Sequence, residues 1–205
     1  MRFLPVGPSA VLVELDDLDA VLALHAEIER RRARGWAPSL IDVIPAARTI
    51  LLDGITDSGA IAAELRGWDV PPAAEPVGPV VDIPCRYDGE DLAAVAALWR
   101  VSEREAARRH ASGTYRVAFC GFAPGFAYLT GLSEQLAVPR RPSPRTAVPA
   151  GSVGVAGTFT GIYPRPSPGG WQIIGRTDAV TWDASQDPPA LLAPGTRVRF
   201  VDVDR

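Results

Sequence analysis

Residues 119–132 read FCGFAPGFAYLTGL, residues 139–164 read PRRPSPRTAVPAGSVGVAGTFTGIYP, and residues 167–177 read SPGGWQIIGRT. Short apolar runs alternate here with Gly/Pro turns, the pattern of many short strands in a closed or sandwiched β domain. Ten of the 19 glycines lie between Gly121 and Gly175, so the backbone has turns and close approaches that only glycine allows. The prolines stiffen the same loops. Between Gln135 and Thr177 stand five arginines (140, 141, 145, 165, 176) and no acidic residue. A local charge of +5 inside a chain of net charge −3 marks this segment as the place to look for function.

Outward from it the chain changes character. Toward the C-terminus AVTW and RVRFVDV continue the strand pattern, and Tyr115–Phe119 (YRVAF) opens it. Ahead of that, Glu90–Trp99 has helical spacing, and Ser102–Glu105 (SERE) is a capping box opening another helix through about Ala111. The first third alternates instead. Ala10–Leu15 suits a strand, and Asp17 caps a helix whose apolar face is Leu18, Val21, Leu22, His25 and Ile28, opposite Glu27, Glu29, Arg30 and Arg31. Leu40–Ile44 and Thr49–Leu52 are strands, Ser58–Arg66 is a helix, and Val80–Ile83 is one more strand. This β-α-β-β-α-(β) order is that of a ferredoxin-like unit. The Pro-rich stretch 70–79 reads as a linker. The chain is therefore expected to be α+β, with a domain over 1–77 and a β-rich domain over 78–205.

Composition narrows the chemistry. All 21 basic residues are arginine. Without lysine there is no Walker A loop, no Schiff base and no lysine general base. Two histidines and two cysteines, Cys85 and Cys120, show no metal-ligand spacing, and no metal site is expected. No G-x-S-x-G elbow is present. The sequence thus singles out no nucleophile–base pair, and the catalytic residues stay unassigned. The mildly acidic pI of about 5.4 argues against nucleic acid as a partner. No apolar run reaches membrane-span length, and the first residues lack a signal-peptide pattern, so a cytoplasmic location is expected. His110, after Arg108 and Arg109, is read as a helix-end dipole contact. Asp88, Glu90 and Asp91 are read as stabilising a helix N-terminus.

The candidate site follows from the arginines. Arg140, Arg145 and Arg176 stand beside Pro or Gly with no acidic neighbour. A guanidinium holds a carboxylate or phosphate with two parallel hydrogen bonds. Ser167, Gly169 and Gly170 form the SPGG turn, whose N–H groups suit an anion nest. Gln172 adds an amide. Phe122, Phe126 and Tyr128 are expected to form an exposed apolar patch that a partner covers.

The motifs GFAPGFAYL, VPAGSVGVAG, TGIYP and SPGGWQIIGRT, with YDGEDLAAVA and SGTYRV, resemble those of the allophanate hydrolase subunit 1 family, over essentially the full length. Members often carry Gln where this chain has Phe159 and Pro where it has Asp178. The resemblance implies a small ferredoxin-like N-terminal domain and a cyclophilin-like β-barrel. It also implies a partner chain of the allophanate hydrolase subunit 2 type and, in 5-oxoprolinase assemblies of this family, a third subunit. Such an assembly opens 5-oxoproline to glutamate using ATP, which the complex binds. The alternatives it leaves open are another amide hydrolase or carboxyltransferase of the allophanate or urea type, and an inhibitor of a histidine kinase. In every enzymatic reading the chain alone is expected to be inactive.

Overall fold

Val11 and Val13 are fully buried while Ala10, Leu12 and Glu14 are half-exposed, so the strand Ala10–Glu14 covers a core with one face. The computed structural model describes residues 1–73 and 80–204. It divides into two units, Met1–Glu75 and Pro76–Arg205. The expected boundary at 77 and most of the Pro-rich stretch lie outside the described residues.

The first unit contains β1 (Arg2–Val6), β2 (Ala10–Glu14), α1 (Leu18–Arg32), β3 (Asp42–Pro45), β4 (Thr49–Asp53) and α2 (Ser58–Arg66). The strands form one antiparallel sheet in the order β1-β2-β4-β3. Asp17 and Asp57 cap the two helices, each carboxylate accepting from the backbone N–H three residues on. The helices bury Val21, Leu24, Ile28, Ile61 and Leu65 against Val11, Val13, Ile50 and Leu52.

Two expectations are corrected here. The strand at 80–83 does not complete this sheet; the edge beside β2 is filled by β1. RFLPV lacks a clean strand pattern because proline interrupts it, yet Pro5 is tolerated in an edge strand. The apolar face of α1 is also rotated: Leu24 and Glu27 are buried, whereas Leu22 and His25 are half-buried. Glu27 accepts from the Arg30 Nε at 2.8 Å and from Arg31, so its charge goes inward already paired.

The second unit contains β5 (Val80–Cys85), α3 (Leu92–Leu98), α4 (Glu103–Ala111), β6 (Tyr115–Cys120), β7 (Ala127–Thr130), a 3-10 turn (Glu134–Leu136), β8 (Arg145–Val148), β9 (Ser152–Ala156), β10 (Phe159–Ile162), β11 (Ser167–Gly169), β12 (Gln172–Arg176) and β13 (Arg197–Asp202). Seven strands form one sheet in the order β12-β9-β10-β7-β6-β13-β5, with β8 and β11 as a separate ribbon. The ends of the large sheet meet. Arg86 and Arg176 exchange backbone hydrogen bonds of 2.9 and 2.8 Å, so the sheet is a nearly closed barrel. Its interior is filled by Ile83, Val117, Leu129, Val153, Val155, Ile162, Val198 and Phe200. The helices add Leu92, Val95, Ala96 and Trp99 to the same core, and Ser102 caps Glu105 as its motif required.

Candidate functional site

Phe126, Tyr163 and Trp171 are buried together with Val148, Ala156 and Ile173, and Tyr128 and Phe159 pack on them. This second cluster of the barrel unit is built almost edge to face: Phe126 meets Tyr128, Tyr163 and Trp171 at centroid distances of 5.0, 5.3 and 5.4 Å. Gly161 makes the assembly possible. A Cβ there would sit 2.9 Å from the Ala127 carbonyl oxygen and 3.2 Å from both the Phe126 and Trp171 rings. Phe159 joins by packing on Phe119 and Tyr128.

Arg140 stands at the edge of this aromatic floor. Burial raises the pKa of the Tyr128 and Tyr163 hydroxyls, and the charge of Arg140 pulls the other way at each. Arg140 is exposed and has no ion pair among the described residues. Gln172 lies beside it, its amide Nε2 donating to the Pro139 carbonyl at 3.2 Å. Gly170 accepts from the Arg141 N–H at 2.8 Å, so the SPGG turn and the PRRPSPR loop are tied directly.

The other arginines are not free. The turn at residues 88–91 carries three carboxylates, and they take three guanidinium groups. Asp91 is 5 % exposed; its Oδ1 accepts from the Arg141 Nη1 at 2.7 Å and the Arg145 Nη2 at 2.9 Å. Its Oδ2 accepts from the Ile173 N–H at 2.7 Å, while its own N–H donates to the Ile173 carbonyl. Glu90 also receives Arg145, and Asp88 receives Arg176 at 2.8 Å. Burial works to raise the Asp91 pKa, but the Arg145 and Ile173 hydrogen bonds and the two arginine charges outweigh it, and the carboxyl lies below its ordinary range. The local +5 therefore falls to the +2 of Arg140 and Arg165, neither of which has an ion pair among the described residues.

Several sequence expectations change accordingly. Arg145 helps build the site but is held by Asp91 and Glu90. Arg176 stands away from Arg140. It lies at the other end of β12, about 13 Å along the strand from Gln172, and lines a separate cavity of about 410 Å³ with Pro84, Arg86, Thr177 and Asp178. Ser167 is buried and donates to the Arg165 carbonyl, and Gly169 is paired in the β8–β11 ribbon, so SPGG serves the ribbon. Gly169 still belongs to the site's wall, because a Cβ there would strike the Tyr163 hydroxyl. Phe126 is 2 % exposed and belongs to the floor; burial removes it from any partner surface. Tyr128 is half-buried, and only Phe122 of that trio stands out in solvent. The acidic turn gives α3 no side-chain cap.

Trp171, which the sequence offers as a stacking face beside Gln172, does belong to the floor; sequence reasoning missed Tyr163, Arg141 and the role of Asp91. The available signal was charge: an acidic run at 88–91 and a basic segment with no acid of its own. Nothing in their separation of about fifty to ninety residues said that they meet.

His110 is also corrected. It is fully buried and its pKa is pushed down by burial to about 3, so as a neutral group it carries no charge to a helix end. The Thr160 hydroxyl donates to the Gly154 carbonyl and so accepts from His110 Nε2, at 2.9 Å; the Tyr87 hydroxyl then donates to Nδ1, at 2.7 Å. This chain of bonds is a satisfied structural network inside the barrel. Cys85, whose thiol burial pushes up to about 12, lies in the same core. Among the described residues no group of three or more His, Cys, Asp or Glu could hold a metal ion, and no helix is long and apolar enough to cross a membrane.

Comparison with known proteins agrees with this architecture. The family model for the carboxyltransferase domain, subdomains C and D, matches residues 1–192. The B-type 5-oxoprolinase subunit of Escherichia coli O157:H7 is 42 % identical over 204 residues, covering 96 % of this chain and 93 % of that protein. The crystal structure of TTHA0988 superposes with a TM-score of 0.76 at 36 % identity; the match covers 95 % of this chain and 40 % of that longer one. The urea amidolyase of K. lactis has the same fold, with a TM-score of 0.77 at 17 % identity over 98 % of this chain and 15 % of that one. The chain belongs to the carboxyltransferase subdomain C and D family, the allophanate hydrolase subunit 1 type that its motifs resemble.

Proposed function

We propose that this chain is the B-type subunit of an ATP-dependent 5-oxoprolinase, a complex that opens the lactam of 5-oxoproline to give glutamate. The observation that carries the reading is the near full-length identity of 42 % with the Escherichia coli protein of that name. The site geometry supports it. Arg140, without a carboxylate partner among the described residues, stands at the edge of an aromatic floor beside the Gln172 amide, a setting suited to a small planar amide bearing a carboxylate. The chain brings binding groups and no lysine, so ATP and the groups that move protons are assigned to other chains of the complex. An allophanate hydrolase subunit 2 type chain is the partner, and this chain alone is inactive. In the same reading the barrel is of the cyclophilin-like kind, and the first unit is a ferredoxin-like variant whose edge strand comes from the N-terminus.

The test is reconstitution. The chain, its subunit 2 type companion and the third subunit are purified separately, and 5-oxoproline-dependent release of ADP and glutamate is measured. Turnover is expected only from the assembly and is expected to fall in Arg140→Lys. Turnover by this chain alone, or by the other subunits without it, sinks the reading.

A further inference from the structure

Four rings grip Tyr128. Phe119 stacks on it at 4.5 Å with the planes 21° apart, and Phe126, Phe159 and Trp171 meet it edge to face at 5.0, 5.9 and 5.6 Å. Its backbone is fixed as well, paired with Phe119 across the β6–β7 ladder. The ring has little freedom, so the position of its hydroxyl is set before any ligand arrives. That hydroxyl forms no hydrogen bond among the described residues, and the residue is only half-buried. Two other tyrosines of the unit spend theirs inside: the Tyr87 hydroxyl meets His110 Nδ1 at 2.7 Å, and the Tyr115 hydroxyl donates to the His110 carbonyl at 2.9 Å. At position 128 phenylalanine would make the same ring contacts. The fold holds an oxygen there and gives it no internal use.

Arg140 is brought to the same place by the backbone. The Pro139 carbonyl accepts from the Gln172 amide at 3.2 Å, and the Arg141 N–H donates to the Gly170 carbonyl at 2.8 Å. Residues 139–141 therefore run beside residues 170–172, and Arg140 lies level with Trp171, which touches Tyr128. One residue earlier, Val138 and Gly157 exchange backbone bonds of 2.9 and 2.6 Å, so the loop is tied down on this side too. Burial holds the Tyr128 pKa above its ordinary value even against the charge of Arg140, and the phenol keeps a proton to donate at neutral pH. The two groups differ in what they take. A guanidinium selects an anion, while a phenol O–H suits a neutral carbonyl oxygen.

We propose that the Tyr128 hydroxyl is a substrate-binding group that donates to the ring carbonyl of the lactam whose carboxylate Arg140 holds. The inference rests on the reading of the chain as a subunit of the hydrolase complex and deepens it. The two contacts divide the ligand between them, so each is tested with a compound that lacks the other half.

The experiment uses the reconstituted assembly with 5-oxoproline, with 2-pyrrolidinone, which is the lactam without the carboxylate, and with cyclopentanecarboxylate, which is the carboxylate without the lactam. KM is measured for the first and inhibition constants for the other two, in the parent, Tyr128→Phe and Arg140→Lys. Tyr128→Phe keeps the packed ring, so its unfolding midpoint is expected to match the parent. It is expected to raise the 5-oxoproline KM and the 2-pyrrolidinone constant about three- to tenfold, the loss of one neutral hydrogen bond, and to leave cyclopentanecarboxylate unchanged. Arg140→Lys is expected to weaken cyclopentanecarboxylate and spare 2-pyrrolidinone. An equal loss for all three ligands in Tyr128→Phe marks a structural role and overturns the proposal. So does an unchanged KM, and so does a parent that turns over 5-oxoproline and is inhibited by neither analogue. Each of these results leaves the hydrolase reading standing. A parent assembly that does not turn over 5-oxoproline overturns both.

Discussion

Replacing Asp91 by asparagine removes one negative charge and keeps nearly the same shape. Asn retains an oxygen for the Ile173 N–H, so that 2.7 Å bond can persist. What is lost is the counter-charge for two guanidinium groups. Arg145 is 16 % exposed and suffers most; Arg141 is about a third exposed, and water screens part of its loss. Breaking a fully buried pair from one side costs about 3–5 kcal/mol; here the exposed Glu90 still meets Arg145 at 3.0 Å, so the loss falls at the lower end of that range. That is a large share of the roughly 5–15 kcal/mol that holds a domain together. Asp91→Ala also orphans the Ile173 N–H and should cost about 1–3 kcal/mol more. The assay is urea unfolding at pH 7, followed by tryptophan fluorescence, since Trp171 adjoins the clamp in sequence and structure. Asp91→Asn/Arg145→Met should lose markedly less than the sum of the two single changes, because the double variant strands no charge at Arg145. The Asp91 pKa is lowered in the folded state, so its contribution is present above the ordinary 3.8 and lost as pH falls below it. An Asp91→Asn loss under about 1 kcal/mol, or strict additivity in the double variant, refutes the clamp.

Three further predictions concern other parts of the barrel unit. The pKa of His110 is pushed from 6.5 to about 3 by burial, so the unfolded chain binds a proton that the folded one refuses; stability should fall by about 2–3 kcal/mol between pH 6.5 and 4.5. Urea unfolding across that range, in a His25→Gln background because His25 shifts the same way, should show a much shallower slope in His110→Gln, the remainder belonging to carboxylates such as Glu27 and Glu105 whose pKa is lowered on folding; parallel curves count against it. Arg140→Lys in the assembled complex should lower kcat/KM about tenfold or more with unchanged unfolding, the loss of a charged hydrogen bond being about 1.5–3 kcal/mol; unchanged kcat/KM moves the anion site elsewhere. Gly161→Ala should destabilise by about 1–3 kcal/mol through overpacking against Phe126 and Trp171, and an unchanged melting temperature would show slack in the floor.

Local rules were legible wherever the structure obeys local physics. Asp17 and Ser102, read as caps, and Asp57, which is not, each accept from the backbone N–H three residues on, the bond a short polar side chain at that position makes. The short apolar runs YRVAF and SVGVAG specify strands, and the Gly/Pro turns between them specify their ends. Pro5 hid an edge strand because sequence does not show which strands lie at an edge. The Gly-rich segment is where backbone and rings approach closely, as its composition requires.

The candidate site was legible in its residue types and misread in its partners. Five arginines without an acid among them promised a free cationic cleft, and a charge balance taken along the chain cannot see pairing across space. The closed barrel decided it: packing the 88–91 turn on β12 sets Asp91 against Ile173, and there it captures Arg141 and Arg145, while Asp88 takes Arg176. The aromatic set divided for the same reason. Phe122 and Phe126 are equally apolar and four residues apart, yet one is solvent-facing and the other buried, because the left-handed backbone at Phe122 turns its ring out and Gly161 opens room for Phe126 alone. By itself the sequence determined most of the elements, the tight turns and the family, which rest on neighbours within a few residues or on long uninterrupted motifs; it hid β1, and AVTW, which reads as a strand, is irregular chain with one isolated bridge at Trp182. Tertiary structure decided which charges cancel, which rings form a floor and which face is left uncovered, because those depend on what closure of the sheet brings within a few ångströms.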